Sequence, residues 1–146
     1  MYLDTGILVK LLVPEADSAF FDQGLRGHSL VTSELAKVEV QSALFAKERT
    51  SVLTPAQRAR AEEKFAAMID DGILEIRPLN QHVLRKATQT IQACHPAVPL
   101  RALDALHVAT CDLEQEFPLC TTDARMHAAA KVMHIPVYPG TLPLKV

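Results

Sequence analysis

Hydrophobic positions along the chain alternate between short runs with the spacing of a strand and longer runs with the spacing of a helix. "MYL" reads as strand, "TGILVKLLV" as a helix that stops at Pro14, and "EADSAFFDQGLRG" as a second short helix closing on glycine. "SLVTS" is strand again and "SELAKVEVQSALFAKERT" helix. In "TPAQRARAEEKFAAMIDDG", Thr54 supplies an N-cap, Pro55 the first helical position and Gly72 the terminator. "ILEIRP" is strand and "NQHVLRKATQTIQACH" helix; "PAVP" then leads into the helical "LRALDALHVATCDLEQE". "PLCTT" as strand, "DARMHAAAKVMH" as helix and "PVYP" as a last strand complete the chain. Such alternation predicts an α/β/α sandwich around a mostly parallel sheet of about five strands. No repeat, low-complexity tract or linker interrupts it, so the 146 residues are expected to form one domain, 1–146.

Composition adds little and excludes some things. Hydrophobic residues make up 49% of the chain, enough for a sizeable core. Charged residues are 22% with a formal net charge of -2, so any nucleic-acid contact must rest on a local patch, not a global basic field. Cys94, Cys111 and Cys120 are odd in number, lack C-x-x-C spacing and sit among apolar neighbours, which reads as free thiols in a reducing compartment. No uncharged apolar run approaches the roughly 20 residues of a membrane span, and no charged-then-apolar leader precedes the first strand, so a cytoplasmic location is expected.

The chemistry lies in acidic residues that the pattern places oddly. "DTG" at Asp4–Gly6 matches the local signature of aspartic proteases, which set it in an all-β fold and pair two copies. Here a helix follows at once and no second copy exists, so that reading fails. Asp4 and Asp123 each end a strand and begin a helix, where ligands gather in parallel α/β sheets; plain N-capping explains either one alone. Glu39 falls opposite the polar face formed by Glu34, Lys37, Gln41 and Glu48, on a stripe with Leu35, Ala36, Ser42, Ala43 and Ala46. It therefore needs a partner, for which a buried Arg or Lys is the bland candidate. Asp104 interrupts a helix that is apolar nearly all round, with helix-dipole compensation and pairing to Arg101 as its simpler explanations. If the four acids converge, their repulsion requires protonation or a divalent cation, and oxygen-only ligands select Mg²⁺ or Mn²⁺. Ions held there would activate water and steady a phosphodiester.

Four acidic blocks in this order and spacing, "YLDTGILVKLLVPE", "VTSELAKVEVQSAL", "LRALDALHVAT" and "LCTTDARMHAAAK", with the closing "IPVYP", resemble the PIN-domain ribonucleases. Within that family the resemblance is to VapC-like toxins of toxin-antitoxin pairs. It implies metal-binding acids at Asp4, Glu39, Asp104 and Asp123, with Asp4 and Asp104 as principal ligands. It also implies supporting hydroxyls at Thr5 and Thr122. The activity implied is Mg²⁺- or Mn²⁺-dependent cleavage of RNA; the partners implied are RNA, a cognate antitoxin and a second copy in a homodimer. Gly6 departs from the family, where a helix former is common, and puts nucleation of the first helix in question.

An acidic pocket also needs a basic rim for the phosphate backbone. Lys10, Lys37, Arg85, Lys86, Arg101 and Arg125 are candidates, and Arg101, one turn before Asp104, is the preferred phosphate contact. His107, one turn after Asp104, is expected to be a core or supporting residue rather than a proton shuttle. Leu11, Leu12, Phe20 and Phe21 would suit either the core or an interaction patch. Two other readings stand beside the nuclease. One is a PIN fold reduced to binding RNA or protein; the other is a phosphotransfer domain using Asp4, weakened by Gly6 where a second Asp would be needed.

Overall fold

A computed structural model describes residues 1–142. Among them, five strands and seven helices follow the expected order. β1 (Tyr2–Leu3), α1 (Thr5–Leu12), α2 (Ser18–Leu25), β2 (Leu30–Ser33), α3 (Leu35–Arg49) and α4 (Pro55–Asp70) come first. β3 (Leu74–Arg77), α5 (Gln81–Cys94), α6 (Ala102–Glu114), β4 (Leu119–Cys120), α7 (Ala124–Val132) and β5 (Val137–Tyr138) complete it. The sheet runs β3-β2-β1-β4-β5 and every neighbouring pair is parallel. Strand order therefore reverses between β1 and β4, which opens a crevice at their carboxyl ends.

Period-two alternation sends the two residues of β1 into different layers. Leu3 packs with Ile7, Leu8, Phe21, Leu44 and Phe65 under α1–α4, whereas Tyr2 packs with Val31, Val108, Cys111, Leu119 and Met126 under α6 and α7. Small residues let α5 and α6 approach closely, Val83 and Ala87 meeting Ala105 and Ala109. All three cysteines are buried and unpaired. Phe21 and Leu12 belong to the core, while Phe20 is partly exposed and stacks on Tyr138 with ring centroids 5.6 Å apart.

Helix starts follow the local chemistry read from the sequence. Thr54 and Gln57 form a reciprocal capping box ahead of α4, and Gly72 adopts φ +69° beyond its end. Gly6 does not prevent α1 from forming, because Asp4 caps it by accepting the Ile7 N–H at 2.7 Å. In α3 the buried spine is Ala36, Val40 and Leu44, not the stripe expected from the sequence: Ser42 is exposed, and Glu39 sits half-buried at the margin. No helix among the described residues is long and apolar enough to cross a membrane.

Candidate active site

Asp4, Thr5, Gly6, Glu39, Asp104, His107, Thr122, Asp123 and Met126 line one cleft of about 430 Å³. The four acids expected from the sequence are therefore brought to a common space, at the crevice between β1 and β4. Register explains half of it. Leu3 pairs with Cys120, the Asp4 N–H donates to the Cys120 carbonyl at 3.1 Å, and the next residues of both strands, Asp4 and Thr121, stand side by side.

Asp4 is only 5% exposed, and both of its oxygens are engaged. Oδ1 accepts the Ile7 N–H, and Oδ2 accepts the Thr121 hydroxyl at 2.5 Å. Burial pushes its carboxyl above the ordinary range, and these two hydrogen bonds only partly offset that. The Thr121 hydroxyl also accepts the Asp123 N–H at 3.0 Å, so one buried threonine ties two of the acids together. Thr122, the supporting hydroxyl that the resemblance implied, lines the cleft, and the hydroxyl that bonds Asp4 and the Asp123 N–H is that of Thr121, one residue earlier.

Asp123 ends the other strand as an N-cap, its Oδ1 accepting from the Arg125 and Met126 N–H groups at 2.8 and 2.9 Å. Asp104 stands in the first turn of α6. Burial, and after it the Asp123 charge, push its carboxyl up, against the pull of Arg125 and Arg101. Its Oδ2 is buried with no hydrogen-bond partner.

Glu39 does not meet a buried Arg or Lys. Its Oε2 accepts the Thr5 hydroxyl at 2.5 Å and lies 2.8 Å from His107 Nε2. The buried Tyr2 hydroxyl is 2.8 Å from His107 Nδ1. With the phenol donating to Nδ1, Nε2 carries the proton and donates to Glu39. Burial opposes the Glu39 charge, but the hydrogen bonds from His107 and Thr5 prevail and hold its carboxyl below the usual range. His107 is thus the buried partner that the acid required.

The basic rim is narrower than the sequence implied. Lys10 is taken up by Glu15 and Asp17, each at 2.8 Å, and Lys86 by Asp112 at 2.6 Å. Lys37, Arg85 and Arg101 are exposed. Arg125 points between the acids, 3.9 Å from Asp104 Oδ2 and 4.0 Å from Asp123 Oδ2.

The donor set is suited to a hard divalent cation: carboxylate and hydroxyl oxygens, one carboxylate oxygen buried without a hydrogen bond, and no thiolate in the cleft. At Gly6 a Cβ would stand 3.3 Å from Asp4 Oδ1, so glycine keeps the approach to that carboxylate open. Among the described residues no three His, Cys, Asp or Glu side chains are yet drawn together as a finished cage.

Crevice and acids together define an α/β protein with a carboxylate site at its topological switch point. The chain belongs to the PIN domain family, whose model matches residues 1–132. Among solved structures it is similar to a toxin-antitoxin complex from Klebsiella pneumoniae, with TM-score 0.66 and 18% identity over 99% of this chain and 98% of that one. It is also similar to FitAcB from Neisseria gonorrhoeae, with TM-score 0.66 and 15% identity over 94% and 95% of the two chains. No curated protein matches the sequence.

Proposed function

We propose that this PIN protein is a Mg²⁺- or Mn²⁺-dependent endoribonuclease and the toxin of a toxin-antitoxin pair. The observation that carries the proposal is the convergence of Asp4, Glu39, Asp104 and Asp123 on one cleft, with Asp104 Oδ2 buried and without a hydrogen bond. Asp4 and Asp104 would be the principal holders of the cation, with Glu39 and Asp123 contributing directly or through water. When bound, the cation supplies Lewis acidity toward a phosphodiester and toward water.

The chain's own residues do the remaining work. His107 and Thr5 hold Glu39 through Oε2, and among the described residues no hydrogen bond reaches Oε1, which is free to take a proton from attacking water. The Thr121 hydroxyl sets the distance between the Asp4 and Asp123 segments. Exposed Arg101, at the amino end of α6, is the outer contact for the RNA backbone. RNA is the substrate, the active form is a homodimer in the cytoplasm, and residues 1–146 act as one domain. Similarity to a toxin-antitoxin complex supports an antitoxin as the inhibiting partner.

The test is cleavage of single-stranded RNA by purified protein with Mg²⁺ or Mn²⁺. Asp4→Asn and Asp104→Asn should each abolish cleavage while circular dichroism stays that of the wild type, and excess chelator should stop the wild-type reaction. Full activity in either variant, or in chelator, overturns the proposal.

A further inference from the structure

Arg125 occupies its position against several local preferences. It stands in the first turn of α7, where the helix dipole disfavours a cation. It is not needed to start that helix, because Asp123 Oδ1 already accepts the two N–H groups there. Other ion pairs of the fold close to hydrogen-bonding distance, as in Lys10–Glu15 at 2.8 Å, Lys86–Asp112 at 2.6 Å and Arg77–Glu116 at 2.5 Å. The two Arg125 pairs, at 3.9 and 4.0 Å, are the longest among the described residues. They leave Arg125 Nε and Asp104 Oδ2 both buried and both without a hydrogen bond. The guanidinium is thus held by charge and not by bonding, on a side chain 36% exposed that has solvent to move into.

We propose that Arg125 is a displaceable counter-ion for the acidic cleft: it neutralises Asp104 and Asp123 until a divalent cation binds, and then turns outward to pair with an RNA phosphate. The inference rests on the nuclease reading above. Its physical basis is competition. A guanidinium and a divalent cation both seek Asp104 Oδ2, and once the acids are neutralised by the cation, like-charge repulsion and the α7 dipole act on Arg125 in the same direction. Its planar fork then meets the two oxygens of a phosphate, geometry that a carboxylate pair at about 4 Å does not use.

This role has a two-sided signature that a merely structural arginine lacks. In the full-length protein without RNA, Arg125→Gln should bind Mn²⁺ roughly 5- to 30-fold more tightly by titration calorimetry, the range reflecting solvent screening of a partly exposed charge. The same variant should raise KM for single-stranded RNA about tenfold with kcat little changed, and reduce the salt dependence of RNA binding by about one phosphate contact. Arg125→Lys, which keeps the charge, should bind Mn²⁺ like the wild type and recover part of the RNA affinity. Unchanged or weaker Mn²⁺ binding in Arg125→Gln, or an unchanged KM, overturns the proposal while leaving the nuclease reading intact. A wild-type protein that neither binds Mn²⁺ nor cleaves RNA would overturn both.

Discussion

Thr121→Val removes one hydroxyl with almost no change of shape, and the structure allows its effect to be worked out. Thr121 is fully buried and donates to Asp4 Oδ2 at 2.5 Å while accepting the Asp123 N–H at 3.0 Å. A hydrogen bond to a charged acceptor is worth about 1.5–3 kcal/mol, and a stranded buried N–H costs about 1–3 kcal/mol. The Asp123 N–H is only part-buried, which puts that second contribution at the low end, so a net loss of about 2–4 kcal/mol is expected with the Asp4 carboxyl ionised. With a urea m-value of about 2 kcal/mol/M, the denaturation midpoint should fall by about 1–2 M. Burial already lifts the Asp4 carboxyl above its unfolded range, so the native state holds that proton more tightly than the unfolded chain. Stability from this group therefore falls as pH rises through the raised value. Without the hydroxyl the carboxyl rises further, so the loss caused by Thr121→Val should grow as the pH rises through the raised value. Thr121→Ser should recover most of it. A loss that does not change with pH, or one below about 0.5 kcal/mol at every pH, would refute the linkage drawn between Thr121 and the Asp4 charge.

Contacts away from that threonine set the remaining outcomes. His107→Leu strands the fully buried Tyr2 hydroxyl and leaves Glu39 with Thr5 alone, so it should destabilise by about 2–4 kcal/mol in urea titrations. His107→Gln, which can still donate to Glu39, should recover Mn²⁺ affinity better than it recovers stability. Because the Glu39 carboxyl is held below its usual range, its contribution is complete above about pH 5 and disappears as the pH falls through the lowered value; Glu39→Gln should therefore matter least in acid. Gly24→Ala places a Cβ 2.0 Å from the Tyr138 hydroxyl and must push that ring off Phe20. It should lower the thermal midpoint even though alanine favours a helix by about 1 kcal/mol, and tyrosine fluorescence should report the displaced ring.

The element order was legible because each segment carries its own signal: periodicity, a capping residue, a terminating glycine. The four acids were legible for different reasons: Glu39 and Asp104 interrupt apolar patterns, while Asp4 and Asp123 stand where a strand end meets a helix start. What the sequence withheld depends on how distant segments align. Choosing Thr121 over Thr122 requires the register of β4 against β1, and a strand of two residues is too short to show which of its neighbours points to which face. The partner of Glu39 required the packing of α3 against α6. A signal for it did exist, because His107 shares a helix face with Asp104 one turn earlier. The stripe expected on α3 was drawn around its alanines, whereas burial followed the larger Val40 and Leu44. Lys10 and Lys86 looked like rim cations only because Glu15, Asp17 and Asp112 are invisible as neighbours until the chain is folded.

The central position of β1 has a consequence for synthesis. β1 precedes the other four strands in sequence yet is flanked on one side by β4, and Asp4 meets its Thr121 partner across 117 residues of chain. No nascent fragment that stops short of α7 contains a complete cleft, whatever its state of folding. The cleft therefore cannot act on anything until the segment that carries Asp123 and Met126 has been made and has folded.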